Sequence, residues 1–362
     1  MIKDKCTAPQ FFSVLYLSVL NTFFMYVSSP KITISSTDTL LRSAVFIIIS
    51  FIAVLPAYTF CKVYKKSELT LSAENTKSPF LKFIAIIYGV IYFIDALMTL
   101  LRFDLFANSE LFSNSNIRIF TIALVAVCCF LALNGLGGIS RAGVLFSFVV
   151  ICATIFMGLT LTDKVDLVNF SPLFENGLTD FFKDSLYFSL RASEIGAILI
   201  FLPEIKGSIK KNYIGWTVLS GVSFSFIMFF VIGSLGAFAD TVLFPTYASV
   251  TLAKFGLFER LDAIETAVWI LCAVTKLTFF INIVIRTVGY TFPKVKKGFI
   301  STVVGILMSV YILFISGNIE RFGILYNTPL NVTLYVVPIV VLPCALLIYI
   351  LCKRRKLNEK TV

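Results

Sequence analysis

Long runs of apolar residues, separated by short polar segments, fill most of the 362-residue chain. A run of about 17–25 apolar residues matches the ~30 Å hydrocarbon core of a bilayer, where a helix satisfies its own backbone hydrogen bonds. The pattern therefore predicts ten membrane-spanning helices, at 10–29, 40–61, 81–103, 118–134, 142–161, 186–203, 212–235, 262–286, 298–317 and 331–352. We expect an all-α, polytopic membrane protein whose residues 1–362 form a single domain, with residues 353–362 as a polar tail.

The basic residues indicate the orientation of these helices. Most of the 31 Lys and Arg residues fall in alternate connecting segments, including 62–82, 206–211, 294–297 and the tail 353–362. Cytoplasmic segments of membrane proteins carry such an excess, so both termini are predicted to be cytoplasmic. The acidic segment 163–184 is correspondingly placed outside.

Composition argues against several functional classes. The net charge of +11 belongs to short turns between spans rather than to one basic surface, which favours a bilayer protein over a nucleic-acid-binding one. The eight cysteines lie inside spans or at their cytoplasmic ends without a CxxC pair, so neither disulfides nor a metal site is expected. The chain has no histidine and no recognisable nucleophile–base arrangement. We therefore expect neither an enzyme nor a bound cofactor.

Polar residues at mid-membrane depth are the candidates for function, since each is costly there unless it has a partner or a role. In the first span, Asn21 and Thr22 lie about halfway across. They can satisfy backbone groups freed by a break in this helix, or they can make an interhelical hydrogen bond from an unbroken helix. The pattern leaves both interpretations open.

The third and eighth spans each carry a charged residue far from both membrane surfaces. Asp95 lies roughly 20 Å from the cytoplasmic start of the third span, whereas Arg102 is further out and can reach the external face. Lys276 of the eighth span lies at a depth comparable to that of Asp95, which predicts an Asp95–Lys276 ion pair. The alternative is a protonated Asp95 with carbonyl contacts for Lys276. The remaining polar candidates on these two spans are Tyr92, Thr275, Thr278 and Asn282.

The sixth span is the most polar of the ten. Arg191 and Glu194 are three residues apart on one helix face and can simply neutralise each other. The alternative is functional: the small residues Ser193 and Gly196 beside an ionisable Glu194 predict a discontinuity in the helix, whose freed backbone groups face a ligand.

The order of these features predicts an internal repeat. The candidate breaks fall in the first and sixth spans, and mid-membrane polar residues fall in the third and eighth, again five spans apart. Corresponding spans then run in opposite directions, as an inverted five-plus-five repeat requires. The predicted repeats cover about 10–161 and 186–352, with a binding site near the midplane between them.

Three segments carry motifs in a fixed order along the chain. Ala-Leu-Asn-Gly at 132–135 is followed by Ser-Arg at 140–141, and Asn-Phe-Ser-Pro-Leu-Phe-Glu-Asn-Gly occupies 169–177. Phe-Pro-Thr-Tyr at 244–247 precedes Phe-Glu-Arg-Leu-Asp-Ala-Ile at 258–264, then Trp269 and Lys276. With Glu194, Gly196 and Pro203, these motifs resemble the spore-germination permeases, the B subunits of nutrient germinant receptors. Arg141 matches the arginine that closes the family's fourth helix.

The resemblance implies a fold, partners and a site. It implies the amino acid–polyamine–organocation superfamily, with ten helices in the LeuT-like inverted-repeat fold. It also implies a membrane A subunit and a lipid-anchored C subunit as partners, in the inner membrane of the spore, and a small germinant, often an amino acid, as ligand. Carried over to this chain, the family's pocket comprises Thr278 and Asn282, with Tyr92 and Asp95 and the segment from Ser193 to Gly196.

Two positions depart from the family pattern, and two functions are open. Asn282 stands where an aromatic residue is expected, which bears on the identity of the ligand, and Lys254 stands where arginine is expected. The first function is a receptor subunit that binds a germinant and signals to its partners. The second is a proton- or cation-coupled amino acid transporter on the same fold, which the fold alone does not distinguish from a receptor.

Overall fold

The structure, a computed structural model, is almost entirely helical over the residues that it describes: 5–24, 38–63, 78–111, 117–171, 174, 177–189, 192–254, 261–315 and 335–358. In the first half, strand β1 (Cys6–Thr7) precedes α1 (Ala8–Phe24), α2 (Asp38–Ala53), α3 (Leu55–Val63), α4 (Pro79–Phe106), α5 (Ile117–Leu133) and α6 (Gly135–Thr160). The second half contains α7 (Gly177–Ser189), α8 (Ala197–Phe201), β2 (Ile205–Lys206), α9 (Ile209–Leu235), α10 (Pro245–Thr251), α11 (Asp262–Thr291), α12 (Lys297–Ile315) and α13 (Leu342–Asn358).

Within the described ranges, six helices are long and apolar enough to cross a membrane. They cover Asp38–Thr59, Pro79–Leu111, Gly135–Thr160, Ile209–Asp240, Asp262–Thr291 and Lys297–Phe314, and shorter apolar helices cover Ala8–Phe24, Arg118–Leu133 and Val337–Tyr349. The prediction of an all-α, polytopic membrane protein therefore holds. The count of ten spans and the five-plus-five repeat stay predictions.

The helix α11 forms the centre of the bundle. It packs against α1, α4, α5 and α6, and most of its side chains are buried. Helices at the periphery turn large apolar side chains outward, among them Phe130 on α5, Phe148 on α6 and Phe314 on α12. This inside-out pattern suits a lipid environment, because a surface covered by many large apolar side chains is unfavourable in water but not in lipid.

Pairs of segments that are distant in sequence meet at each end of the bundle. The strand β1 pairs in parallel with β2, so residues 6–7 and 205–206 lie at the same end. At the other end, Arg42 Nη2 lies 3.4 Å from Asp184 Oδ2, and Asp38 Oδ1 accepts a hydrogen bond of 2.7 Å from the backbone N–H of Phe174. The distribution of charged residues in the sequence likewise places residues 6–7 and 205–206 on one side of the membrane and the segments near Arg42 and Asp184 on the other side.

The predicted discontinuity in the sixth span is present. The helix α7 ends at Ser189, Ala192 has a non-helical conformation, and a 3₁₀ turn at Ser193–Gly196 precedes α8. The first span behaves differently, because α1 continues without a break through Asn21 and Thr22 to Phe24. Of the two interpretations of that pair, the unbroken helix is therefore the one observed.

One depth prediction is wrong. Arg102 was expected to reach the external face, but its side chain is buried. The physical reason is the length of its element: α4 runs on to Phe106 and continues as a π-helical turn, Ala107–Leu111, which keeps Arg102 inside the bundle.

Candidate functional site

A buried ion pair lies where the broken helix meets α11. The Nζ atom of Lys276 lies 2.8 Å from Oε1 of Glu194, and these side chains are only 6% and 0% exposed. Glu194 belongs to the 3₁₀ turn rather than to a regular helix, so the break is what brings its carboxylate to α11. Lys276 also lies 5.3 Å from the ring centroid of Phe280, one turn further along α11, which adds a cation–π contact.

Helix α1 supplies two further hydrogen-bond acceptors for the Lys276 ammonium. The Lys276 ammonium donates to Oγ1 of Thr22 at 2.6 Å and to the backbone carbonyl of Ser18 at 3.4 Å. The Ser18 hydroxyl in turn donates to Oε1 of Glu194 at 2.8 Å. Ser18 and Thr22 are four residues apart, so they share one helix face. One ammonium and one carboxylate thus join α1, α11 and the break.

The predicted Asp95–Lys276 ion pair is absent, because Lys276 pairs with Glu194 instead. Depth along the helix axis is comparable for Asp95 and Lys276, but depth does not fix which face of each helix meets the other. Asp95 lies within electrostatic range of Lys276, Glu194 and the Ser193 hydroxyl. The alternative Arg191–Glu194 contact involves Arg191, which lies outside the described residues.

Two tyrosines of α4 bind the polar backbone around the break. Tyr92 donates to the carbonyl of Ser193 at 2.8 Å, and Tyr88, one turn earlier, donates to the carbonyl of Pro338 at 3.0 Å. Their rings stack with centroids 6.2 Å apart. Both carbonyls belong to irregular backbone, so the tyrosines satisfy acceptors that a regular helix would have paired internally.

Gly196 has a packing role. A Cβ atom at this position would lie 2.7 Å from the Pro338 carbonyl oxygen, closer than real Cβ atoms approach a neighbour. The glycine therefore allows the 3₁₀ turn to contact the π-helical turn Val337–Val341. Its prediction as a ligand contact stays untested, and the observed role is close backbone approach.

Three polar atoms on the break and on the two helices that contact it, α1 and α4, have no hydrogen-bond partner among the described residues. They are Nδ2 of Asn21, Oδ2 of Asp95 and Oε2 of Glu194, all fully buried. Buried polar atoms are nearly always paired, and an unpaired one calls for an explanation such as a ligand. The set offers one amide donor and two carboxylate acceptors.

Two of the other candidates on α11, Thr278 and Asn282, face away from this centre. Asn282 donates to the carbonyl of Ala132 on α5 at 2.8 Å, and Thr275 donates to the carbonyl of Leu271 within its own helix. Thr278 is near Cys128, also on α5. Lys276 thus lies on the α1 side of α11, whereas Thr278 and Asn282 lie on the α5 side, which is a consequence of helical rotation by 100° per residue.

The remaining predicted residue, Arg141, lies at the exposed end of α6, where its Nε donates to the carbonyl of Gly137 at 2.9 Å. This bond stays within α6, and Arg141 makes no contact with the buried ion pair. Its position agrees with a structural role.

A second ion pair closes the bundle at the β1–β2 end. Arg286 pairs with Glu204, donates to Oδ1 of Asn282 at 3.0 Å, and lies 4.8 Å from the ring centroid of Phe201. The Cys6 thiol is buried beside this pair, and burial, with the Glu204 carboxylate as second cause, raises the pKa of Cys6 to about 11. The thiol is therefore protonated at neutral pH and adds no charge here.

Sequence reasoning missed several of these residues. Ser18 stands four positions before the predicted residue Thr22, so the helical period alone could have found it. Pro338 and the Glu204–Arg286 pair carried no comparable signal, because their partners are distant in sequence.

The comparisons with known proteins identify the family. A family model described as spore germination protein matches residues 8–320, most of the chain. The chain belongs to the spore germination protein family. No curated protein matches it.

Among solved structures, the chain of this spore germination protein resembles a Na⁺-coupled sialic acid symporter in a substrate-bound, outward-open state. The TM-score is 0.54 at 12% sequence identity, over 93% of this chain and 79% of the symporter. At that identity the likeness shows a shared fold. Together with the apolar helices, it establishes an integral, multi-pass membrane protein with a transporter-like architecture.

Proposed function

We propose that this spore germination protein is the nutrient-sensing membrane subunit of a germinant receptor. It binds a small germinant near the membrane midplane and signals to its partner subunits, without catalysis. Family membership supports the role in germination, and the transporter-like fold supports a binding site at a helix break.

The observation that carries the proposal is the set of unpaired polar atoms on the break and on the helices α1 and α4 that contact it. The carboxylate oxygens of Asp95 and Glu194 accept hydrogen bonds from an ammonium group, and the amide nitrogen of Asn21 donates to a carboxylate. A free amino acid carries both groups on one carbon. Its binding would supply the partners that these buried atoms lack, and we therefore propose an amino acid as the germinant.

The buried Lys276–Glu194 pair is the proposed link between binding and signalling. It joins α1, α11 and the break, so a ligand that alters the position of Glu194 also alters the contact between two helices. A membrane A subunit and a lipid-anchored C subunit are the proposed receivers of this change, and the inner membrane of the spore is the proposed location. The cytoplasmic placement of both termini rests on the charge distribution.

Binding to the purified chain tests the proposal. The full chain, in lipid nanodiscs, is titrated with each proteinogenic amino acid in radioactive form, and the same is done with Tyr92→Phe and with the remote variant Thr302→Val. We expect saturable binding of one or a few amino acids that is weaker in Tyr92→Phe and unchanged in Thr302→Val, whose hydroxyl bonds only the backbone of α12. Absence of binding to any amino acid would contradict the ligand class.

Transport by the same fold is the alternative function. Proteoliposomes loaded without amino acid distinguish the two, since a transporter accumulates the bound amino acid inside whereas a sensor only binds it. Genes for A and C subunits beside the gene for this chain would favour the receptor, and an isolated gene would favour the transporter.

A further inference from the structure

A second candidate site lies apart from the broken helix, in a small cavity beside the short helix α10. A cavity of about 30 Å³ is lined by α6, α9, α10, the start of α11 and the end of α1. Its polar lining comes from Thr154, Thr246, Ser249 and Glu265, and the rest is apolar, with aliphatic side chains and aromatic rings such as Phe226. A volume of this size accommodates a single water-sized or ion-sized species.

The Glu265 carboxyl has only one of its oxygen atoms paired. Its side chain is buried, and Oε1 accepts a hydrogen bond of 3.1 Å from the indole N–H of Trp269, one turn later on α11. Its other oxygen, Oε2, is buried without a partner among the described residues. A carboxylate in apolar surroundings is costly unless a positive charge or hydrogen-bond donors balance it.

The hydroxyl groups of the cavity cannot act as those donors. Thr154 donates to the carbonyl of Val150, Thr246 to the carbonyl of Phe24, and Ser249 to the carbonyl of Thr246, each at 2.8 Å. A hydroxyl has one proton and two lone pairs, so each of these groups has only acceptor capacity left. When Glu265 is ionised, as a bound cation requires, the free polar atoms of the lining are therefore all acceptors.

We propose that this cavity is a binding site for a monovalent cation. Glu265 supplies the balancing negative charge, and the hydroxyl oxygens of Thr154, Thr246 and Ser249 supply neutral oxygen ligands. The single carboxylate suits one positive charge, whereas a divalent ion such as calcium takes six to eight oxygen ligands, several of them carboxylates. Hard oxygen ligands also favour alkali-type cations over softer metals.

The proposed ligands of the cation belong to different helices. Thr246 and Ser249 belong to α10, Thr154 to α6 and Glu265 to α11, so one cation would hold three helices together. Thr246 also bonds the last described residue of α1, Phe24. Cation binding is therefore expected to stabilise the position of α10 relative to α6 and α11. The Lys276–Glu194 pair takes no part, so this inference stands or fails separately from the proposed function.

Equilibrium binding of radioactive sodium and rubidium to the purified full chain tests the proposal, with choline keeping the ionic strength constant. We expect saturable binding of at least one of these ions by the wild type, and its loss in Glu265→Gln. Ser249→Ala and Thr154→Val retain the carboxylate and remove one oxygen ligand each, so their affinity should fall by on the order of tenfold. Ser309→Ala is the matched control, because its hydroxyl also bonds a backbone carbonyl at 2.8 Å but lies on α12.

Two results would overturn the proposal. One is a folded wild type with no saturable binding of either ion, which would mean that the cavity holds only water. The other is unchanged affinity in both Ser249→Ala and Thr154→Val, which decides the matter even if Glu265→Gln does not fold.

Discussion

Replacing Lys276 by methionine tests the buried ion pair most directly. Methionine keeps most of the side-chain volume but removes the ammonium that contacts Glu194 at 2.8 Å and Thr22 at 2.6 Å. Glu194 is then left as an uncompensated buried carboxylate with 0% exposure. Removing one partner of a buried pair typically costs 3–5 kcal/mol, so we expect a loss of about 4 kcal/mol in the free energy of unfolding.

The identity of the partner follows from a double-mutant comparison. Adding Glu194→Gln to Lys276→Met removes the stranded charge, and we expect about 1–3 kcal/mol of the lost stability to return. Adding Asp95→Asn instead should return less, because Asp95 forms no ion pair with Lys276. The measurement is reversible unfolding in mixed micelles of a mild detergent with increasing SDS, read by tryptophan fluorescence and by size-exclusion profile.

The result that refutes this reasoning is equal or greater rescue by Asp95→Asn. If Asp95→Asn restores the Lys276→Met protein as well as Glu194→Gln does, the lysine is shared or pairs with Asp95. A Lys276→Met protein as stable as the wild type would show that the pair contributes nothing to stability. In spores, Lys276→Met is also expected to abolish or sharply weaken the germination response.

Further predictions concern packing, the tyrosine contact and topology. Gly196→Ala should destabilise the protein by about 1–3 kcal/mol, because the added methyl group meets a backbone carbonyl oxygen. The control Gly289→Ala should not destabilise it, because a methyl group there has open space. Equal stability of the two variants would contradict the contact. Tyr92→Phe should cost about 0.5–1.5 kcal/mol in unfolding experiments and raise the germinant concentration for half-maximal response. An unchanged dose–response would remove Tyr92 from the site. In a cysteine-free background, Asp163→Cys should react with an impermeant thiol reagent from outside and Lys211→Cys only after permeabilisation, and the opposite labelling would invert the topology.

The sequence by itself determined the class of protein and the chemistry available to it. Runs of apolar residues of bilayer length predict spanning helices, because the hydrocarbon core offers the backbone N–H and C=O groups no hydrogen-bond partners outside the helix. This inference needs no tertiary contact. Small residues beside Glu194 predicted the break between α7 and α8, because helix propensity and a costly buried charge are local properties. The motifs likewise predicted the family that the comparison then identified.

Only the tertiary structure decided which polar groups meet. The depth of a residue in the membrane follows from its position along the helix. Its partner, however, depends on the direction in which the side chain leaves the helix axis and on the helix that lies there. The depth rule therefore predicts Asp95 as the partner of Lys276, although Lys276 binds Glu194. The same dependence directs Asn282 to α5 and away from the site, and it leaves Glu265 in a cavity that no local pattern indicated. Contacts between residues hundreds of positions apart, such as Tyr88 with the Pro338 carbonyl, are set by how the helices pack, and a one-dimensional pattern does not encode that packing.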